Sequence, residues 1–167
     1  MRRVFDLKTF EKSNNPKYPV TAAGILFYKL KAGRLYLLLI SYEDPARRLL
    51  DDFGGKTDCV DDTIFDTICR EAAEETNSIV KVDRKSILSM PAFYNAKAKY
   101  YLVLQRLNSG AYQSPSIFGD VEDTNNIKRT INWYEYSERL KPRLCYRLKG
   151  CTVLLKFLDN LRLKNEY

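Results

Sequence analysis

The chain has 167 residues, 45% of them hydrophobic and 29% charged, which suits one globular domain and excludes a disordered chain. No apolar run approaches the roughly 20 residues that cross a bilayer, and no long apolar stretch follows the first charges. We therefore expect a cytoplasmic protein without a membrane segment or secretory signal. Its net charge of +7 favours anionic partners, although a solvated basic surface would also explain it.

Histidine is absent, and the four cysteines form no C-x-x-C pair. Structural zinc needs closely spaced cysteine or histidine ligands, so we expect no zinc site and reduced thiols. Because the commonest general base is missing, any acid–base or metal chemistry must come from carboxylates, lysine, tyrosine or cysteine.

The first half of the chain predicts an arm, a hairpin and one helix. Residues 1–17 are polar and mixed, and we expect an N-terminal arm there, followed by one domain over 18–167. Apolar and β-branched residues predict strands over 20–30 and 34–42, joined by a turn. The acidic, glycine-containing stretch 51–62 predicts a loop, and the apolar spacing that follows predicts a helix over 63–77.

The second half alternates in the same way. The pattern predicts strands over 87–91, 99–107 and 130–136, with a loop over 108–128. The C-terminal stretch 143–163 has helical spacing that Gly150 interrupts, because glycine costs about 1 kcal/mol in a helix interior. Interleaved strands and helices indicate an α/β or α+β fold.

A helical wheel divides residues 63–77 into two faces. Glu71, Glu74 and Glu75 share one arc, whereas the other arc is mainly apolar and is expected to face the core. We expect Asp61 or Asp62 to cap the N-terminus of this helix. The apolar arc comprises Phe65, Ile68, Cys69, Ala72 and Thr76.

The three glutamates repel one another, which destabilises a helix unless something neutralises them. A divalent cation would do so, and Mg²⁺ prefers hard oxygen ligands while keeping several waters. A solvated acidic face is the alternative. The glycines just upstream, Gly54 and Gly55, favour the metal interpretation because glycine lets the backbone approach a metal or phosphate closely.

The stretch GGKTDCVDDTIFDTICREAAEETN, residues 54–77, resembles the Nudix box. That pattern is Gly, five residues, Glu, seven residues, then Arg-Glu-hydrophobic-any-Glu-Glu-any-Gly-hydrophobic. The segment from Arg70 to Glu75 matches its central part. Counting back seven residues from Arg70 puts the first acid on Asp62, so one extra residue lies between Gly55 and Asp62. The box extends over 54–78, and Asn77 and Ser78 replace its last two residues.

The resemblance extends roughly over residues 20–140 and implies a Nudix-like fold, a mixed β-sheet sandwiched between helices in a single domain. It further implies a hydrolase that uses Mg²⁺ or Mn²⁺. An acid from the late loop, Asp120, Glu122 or Asp123, would complete the metal site, and we favour Glu122. The implied catalytic residues are Arg70, Glu71 and Glu74; the implied metal ligands are the Gly54 carbonyl, Glu71, Glu74, Glu75 and Glu122; and the implied substrate contacts are Gly55 and Lys56.

The family acts on nucleoside diphosphates linked to another moiety, and the box does not choose among them. Tyr94 follows Ser78 by 16 residues, a spacing similar to that of a tyrosine in diadenosine polyphosphate hydrolases. Tyr94 could stack on a base, although core packing explains it as well. We therefore expect hydrolysis of a phosphoanhydride bond in a dinucleoside polyphosphate or related nucleotide.

Two alternatives stay open. The basic segment 139–149 could hold a phosphodiester backbone, which would suit an RNA cap hydrolase. A non-catalytic Nudix-like module that binds nucleotides or RNA is the alternative of another class. Neither the oligomeric state nor the leaving group follows from these patterns.

Overall fold

The computed structural model describes residues 3–165; the four terminal residues, which fall in the predicted arm and at the end of the predicted domain, lie outside the described residues. The strands of the described part are β1 (Phe5–Asp6), β2 (Pro19–Val20), β3 (Ala22–Lys31), β4 (Arg34–Tyr42), β5 (Phe53–Lys56), β6 (Ala92–Asn95), β7 (Tyr100–Arg106), β8 (Val121–Glu122) and β9 (Ile127–Glu135). The α-helices are α1 (Ile64–Glu75), α2 (Arg84–Ile87), α3 (Tyr146–Lys149) and α4 (Thr152–Leu163).

The main sheet is mixed. Its order is β6-β7-β3-β4-β9-β8, and β3 and β7 run parallel while the other neighbours are antiparallel. Strands β1 and β2 form a separate antiparallel ribbon. Within residues 3–165, no helix is long and apolar enough to cross a membrane.

Strand β5 forces the centre of the sheet apart. On one edge, β3 pairs with β5 over its first half, from Ala22 to Ile25, and with β4 only from Phe27 onward. The other edge of β3 is taken by β7. Strand β5 therefore takes the place beside the first half of β3 that β4 would otherwise occupy, and β3 and β4 diverge there. The polar side of α1 faces the notch between the diverging strands.

Alternate side chains of the sheet enter two separate cores. On β3, Ile25 and Phe27 face the core under α1, whereas Leu26 and Tyr28 face the core under α3 and α4. Helices therefore cover both faces of one sheet. This arrangement confirms the predicted fold class, a mixed sheet sandwiched between helices in a single domain.

The predicted β3–β4 hairpin is confirmed, with Ala32 and Gly33 at positive φ in its turn. Three other predictions need correction. The stretch 51–62 contains β5, because pairing with β3 overrides the weak strand propensity of glycine. The predicted strand 87–91 ends α2 and continues as a turn, and the strand begins at Ala92. The loop 108–128 contains a 3₁₀ turn over Pro115–Phe118 and strand β8.

The first segment of the chain packs on the domain. Phe5 is fully buried in the core under α1, and the Phe10 ring lies 4.8 Å from that of Phe65. The division at residue 17 stays a prediction, but these contacts make the described part of the segment contribute to the core.

Thr63, and neither of the two aspartates before it, caps α1. The Asp66 amide donates to the Thr63 hydroxyl at 3.4 Å, and the Thr63 amide donates to the Asp66 carboxylate at 2.8 Å. This capping box satisfies two backbone donors at once. The expectation of a cap at Asp61 or Asp62 was therefore wrong, because both carboxylates are directed to other partners.

Removing the cap should lower stability. We expect Thr63→Ala to lower the free energy of unfolding by about 1 kcal/mol, measured by urea denaturation. Thr152→Ala is the matched control, because this exposed threonine begins α4 without capping it. An equal loss in both variants would contradict the assigned cap.

Candidate functional site

A cavity of about 760 Å³ lies at the notch beside β5 and the polar side of α1. Glycines, acids and cations from distant parts of the chain meet there. Every residue of the predicted box that we singled out for chemistry lies on its wall, together with the favoured acid of the late loop. These residues are Gly54, Gly55, Lys56, Arg70, Glu71, Glu74, Glu75 and Glu122.

Glu75 lies deepest among the carboxylates of α1. Its side chain is buried, and the Tyr42 hydroxyl donates to its Oε1 at 3.0 Å. Its Oε2 has no hydrogen-bond partner among the described residues. Burial raises the pKa of the Glu75 carboxyl well above its usual range. A buried acceptor without a donor is costly, and binding a cation would satisfy this oxygen.

Arg70 organises the outer carboxylates. It binds Asp61 through two hydrogen bonds, from Nε at 3.0 Å and from Nη2 at 2.9 Å. Its Nη1 lies 2.8 Å from Glu71 Oε1 and 3.5 Å from Glu74 Oε2. Burial raises the pKa of the Glu71 carboxyl, although Arg70 opposes the shift. A planar guanidinium can hold two carboxylates in this way, so Arg70 restrains Glu71.

The acid that pairs with Arg70 is Asp61, whereas Asp62 points to solvent. Asp61 is almost fully buried and also accepts from the Thr67 hydroxyl at 2.8 Å. The Asp62 side chain is 83% exposed, and it pairs with two cations of the first segment, Arg3 and Lys12.

The pairing of Asp61 with Arg70 bears on where the extra residue of the box lies. Five residues separate Gly55 from Asp61, which matches the family pattern, and eight instead of seven separate Asp61 from Arg70. With Asp61 as the first acid the extra residue lies after it, whereas with Asp62 it lies between Gly55 and Asp62, so its position stays a prediction.

Both glycines of β5 lie in close contact with their neighbours. A Cβ on Gly55 would lie 2.5 Å from Glu71 Oε1, and a Cβ on Gly54 would lie 2.6 Å from the Cα of Gly24. A side chain on Gly54 would push β5 away from β3, whereas one on Gly55 would displace the Glu71 carboxylate. The missing side chains thus allow the Glu71 carboxylate to rest against the backbone.

The Gly54 carbonyl accepts a hydrogen bond from Arg147 Nη2 at 3.0 Å. Arg147 Nε also binds the fully buried Asp52 at 2.8 Å, and the Tyr100 hydroxyl donates to the other oxygen of Asp52 at 2.6 Å. This ion pair ties α3 to β5 behind the cavity. The Gly54 carbonyl is consequently already engaged by a cation, which weakens its assignment as a metal ligand.

Arg147 was expected in a basic segment that could bind RNA, together with Arg139, Lys141, Arg143 and Lys149. The structure distributes this segment differently. Lys141 pairs with Glu138 and Asp159, whereas the Arg143 guanidinium lies 5.5 Å from the Tyr134 ring centroid. The segment therefore does not form a continuous row of free cations.

Glu122 is the acid of the late loop that reaches the cavity. It is 3% exposed, whereas Asp120 and Asp123 are exposed. The Asn125 side-chain amide donates to Glu122 Oε1. Strand β8 holds Glu122 in place by pairing with the start of β9.

Asn77 fastens this loop to the end of α1. At a φ of 51° it adopts the left-handed conformation expected from the box. Its side-chain amide donates to the carbonyls of Phe118 and Val121, and its Oδ1 accepts from the Asp123 amide at 2.9 Å. A glycine in this position could not make these contacts.

Tyr94 lies elsewhere. Its hydroxyl donates to the Pro19 carbonyl at 2.7 Å, and its ring packs against the core under α1. Because Tyr94 is not on the wall of the carboxylate cavity, this placement does not support a role in stacking on a substrate there.

Several cavity residues escaped sequence reasoning. Tyr42 ends β4, and its register partner Arg129 on β9 is buried and binds the Glu75 carbonyl at 2.8 Å. Arg47 stacks over the Tyr42 ring at 3.4 Å from its centroid. An arginine within a strand pattern is a signal in the sequence, because arginine is seldom buried unless it is paired. That Arg129 binds the Glu75 carbonyl follows only from the fold.

A second acidic group lies behind the cavity. Within residues 3–165, Asp51, Asp52 and Cys145 are the group whose potential ligand atoms lie within 4.8 Å of one another. Arg147 already supplies positive charge there, 2.8 Å from Asp52 and 3.7 Å from Asp51. Burial also raises the pKa of the Cys145 thiol, which disfavours the thiolate that a metal needs. We interpret this group as structural.

Within residues 3–165, the glutamates around the cavity do not bring three ligand atoms within 4.8 Å of one another. This spacing suits a hydrated ion, since Mg²⁺ keeps several waters and is usually held by one or two carboxylates together with substrate phosphates. The unpaired oxygen of Glu75 and the hard oxygen donors around it fit such an ion.

Comparison with solved structures identifies the fold. The chain is 22% identical to the Ap4A hydrolase of C. elegans in a binary complex, with a TM-score of 0.51 over 85% of this chain and 97% of that chain. It is 17% identical to the NUDIX domain of Shewanella oneidensis NrtR complexed with ADP ribose, with a TM-score of 0.50 over 94% of each chain. These similarities show that the chain has the Nudix fold.

Sequence comparison adds little. No protein-family model matches the chain. An uncharacterized protein, L534, of Acanthamoeba polyphaga mimivirus is 41% identical over 61 residues, which cover 35% of this chain. The match spans 20% of that protein's length.

The Asp61–Arg70 pair yields a pH-dependent prediction. Burial alone would raise the pKa of the Asp61 carboxyl, but hydrogen bonds from Arg70, Asp58 and Thr67 hold it below its usual range. The stabilisation is therefore present at neutral pH and is lost as the pH falls below about 4. We expect Asp61→Asn to cost about 2 kcal/mol at neutral pH and less in acid, measured by urea denaturation.

Asp62→Asn is the matched control, since it removes the neighbouring carboxylate from an exposed position. We expect little change in its unfolding midpoint at either pH. A larger effect of Asp62→Asn than of Asp61→Asn would overturn the assignment of Asp61 as the partner of Arg70.

Proposed function

We propose that the protein is a metal-dependent hydrolase that cleaves a phosphoanhydride bond in a nucleoside diphosphate-linked compound. The observation that carries the proposal is the unpaired, buried Oε2 of Glu75 in a cavity that three further glutamates share. A purely structural helix would not be expected to keep an acceptor buried without a donor.

The metal would be Mg²⁺ or Mn²⁺, because the available donors are carboxylate oxygens. We assign Glu75, Glu71, Glu74 and Glu122 as the residues that hold it. When bound, such an ion neutralises phosphate charge and lowers the pKa of a water that it holds. The Gly54 carbonyl remains a candidate ligand only if Arg147 releases it.

Arg70 holds the two carboxylates Glu71 and Glu74 at different distances. Arg70 holds Glu71 at 2.8 Å, whereas its distance to Glu74 is 3.5 Å, and the Glu74 side chain is 26% exposed. We therefore assign Glu74 to accept the proton of the attacking water and Glu71 to hold charge in place. The water oxygen bonds to phosphorus as the bridging P–O bond breaks, and the leaving phosphate oxygen departs with the bonding electrons.

The wall of the carboxylate cavity also carries cations, which a negatively charged polyphosphate would need. Arg47 and Lys56 lie on the cavity wall, as does Arg147, which is already paired with Asp52. Arginine and lysine there can bind phosphate oxygens and stabilise the charge that develops in the transition state. Gly55 would add a close backbone approach, and Arg70 would act by orienting Glu71.

The substrate class rests on cavity size and on the fold relatives. A volume of about 760 Å³ can hold a nucleotide-sized ligand. The C. elegans relative is named as an Ap4A hydrolase, and the Shewanella domain was solved with ADP ribose. We therefore propose a dinucleoside polyphosphate or related nucleotide as substrate. Four unpaired cysteines fit a cytoplasmic location.

RNA cap hydrolysis is the weaker alternative, because Lys141 and Arg147 of the basic segment are bound to carboxylates. Nucleotide binding without catalysis is the other alternative. A screen over dinucleoside polyphosphates, sugar nucleotides, nucleoside triphosphates, inositol pyrophosphates and capped RNA, with Mg²⁺ and Mn²⁺, separates them. We expect phosphate products from dinucleoside polyphosphates, and binding without any product would favour the non-catalytic module.

Glu75→Gln tests the metal site. The substitution removes the negative charge of the buried carboxylate, so we expect kcat to fall by about two orders of magnitude or more. The metal-free melting temperature should rise slightly, because repulsion from Glu71 is relieved.

Glu43→Gln provides the control, because Glu43 is exposed and lies outside the cavity wall. We expect its kcat and melting temperature to match those of the wild type. Wild-type activity that survives exhaustive EDTA treatment would refute the metal-dependent mechanism.

A further inference from the structure

A second cavity, of about 450 Å³, opens at the opposite end of the sheet from the carboxylate cavity. Adjacent strands supply its floor: Lys29 on β3 is the register partner of Tyr36 on β4, and Trp133 on β9 is the partner of Leu38 on β4. We call it the Lys29 cavity. Its wall includes Lys29, Lys31, Arg34, Tyr36, Gln113 and Trp133.

Lys29 occupies an unusual position for an ammonium group. The residue is 5% exposed, and its Nζ lies 4.0 Å from the centroid of the Trp133 ring. Within residues 3–165, no carboxylate lies within ion-pair distance of it. The buried Arg129 differs, since its guanidinium donates to backbone carbonyls, and the half-buried Arg147 binds Asp52.

A buried charge without a counter-charge is costly, and a cation–π contact offsets only part of that cost. The surroundings increase the cost further. Burial, and repulsion from Lys31, lower the pKa of the Lys29 ammonium. Arg34 adds positive charge at the wall, although it also contacts Glu135 at 3.3 Å. An anion bound in this cavity would supply the charge that the protein does not.

The rest of the wall favours a particular kind of anion. Tyr36 and Trp133 bring two aromatic rings beside the buried ammonium, and Gln113 and Asn132 bring side-chain amides. The indole is fixed in place, because its Nε1 donates to the Tyr112 carbonyl at 2.9 Å. Aromatic rings, amides and a cation together suit a phosphate that carries a planar base.

We propose that the Lys29 cavity is a second nucleotide-binding site, in which Lys29 binds a phosphate and the aromatic rings lie beside the base. The ligand is either a free mononucleotide or one nucleotide of a single strand, because both present the same group. The proposal does not depend on the hydrolase function assigned to the carboxylate cavity.

The two cavities are too far apart for one mononucleotide. Tyr42 lies on the wall of the carboxylate cavity, and Tyr36 lies six residues earlier on the same strand. At about 3.3 Å per residue, this separation is roughly 20 Å. A mononucleotide in the Lys29 cavity therefore leaves the carboxylate cavity free.

Tryptophan fluorescence tests the site directly, because Trp133 is the only tryptophan of the chain. The probes are AMP, inorganic pyrophosphate and an uncapped six-nucleotide oligoribonucleotide, titrated in the presence of EDTA. We expect a saturable change in Trp133 emission with AMP, with the oligoribonucleotide, or with both. A response to AMP alone identifies a free nucleotide, and a response to the oligoribonucleotide alone identifies a strand.

Lys29→Met should weaken nucleotide binding about tenfold or more, since one charge-assisted contact is lost. Methionine fills similar space without a charge, so the melting temperature should stay the same or rise. Lys156→Gln removes an exposed charge from α4 on the other face, and Glu75→Gln alters the carboxylate cavity. Both should bind as the wild type does, which separates this site from the proposed catalytic one.

Three results would overturn the proposal: no saturable change in the wild type, equal affinity in Lys29→Met, or a response to pyrophosphate alone. If Lys29→Met does not fold, Lys29→Arg and Lys31→Gln decide the matter. The arginine variant keeps the charge and should retain binding, whereas loss of the neighbouring charge at Lys31 should weaken it. Unchanged affinity in Lys31→Gln would then count against the site.

Discussion

The geometry of the carboxylate cavity depends on two glycines in the middle of strand β5. Strand β5 lies between β3 and α1, and it fits there because Gly54 and Gly55 present only backbone to their neighbours. A single methyl group on Gly55 would displace Glu71. Strand β5 also separates the first half of β3 from β4, and this separation opens the notch. Close packing of backbone therefore creates both the space for a ligand and the wall that carries the charges.

Charges around the notch are arranged in two layers. In front, Arg70 holds Asp61 firmly and restrains the outer glutamates. Behind, Arg147 pairs with Asp52 and ties the C-terminal helices to β5. Pairing in both layers limits the cost of burying so many ionisable groups. Among the glutamates, Glu75 is left with one buried oxygen unpaired, and the proposed cation site rests on this oxygen.

A departure from the family pattern has a structural purpose here. The pattern places a glycine after the last acids, where this chain has Asn77. Asparagine tolerates the same left-handed backbone, and its amide additionally binds three backbone groups of the late loop. The substitution thus links the end of α1 to the loop that carries Glu122. The same sheet presents acids at one end and, at the other, Lys29, which pairs with no carboxylate of residues 3–165.

The sequence by itself determined the elements that local periodicity encodes. The β3–β4 hairpin, the acidic helix and the apolar strands follow from spacing within a few residues, and the glycine pair with the acidic helix was enough to indicate the fold. Tertiary structure decided which of two adjacent carboxylates, Asp61 or Asp62, turns inward, because that depends on how the loop before α1 meets Arg70. It also decided that β5 is a strand, since weak strand propensity is overridden only by a neighbour.

The same holds for the side chains that complete each cavity. Tyr42 and Arg147 lie outside the box in sequence, yet both reach the carboxylate cavity. Tyr94 has the spacing of a substrate-binding tyrosine, but it packs against the core under α1. Lys29 and Trp133 are separated by about a hundred residues in the chain and meet only because β4 pairs with both of their strands. Spacing along the chain encodes contacts within one element, whereas contacts between elements depend on strand order and register, which arise only when the whole core forms.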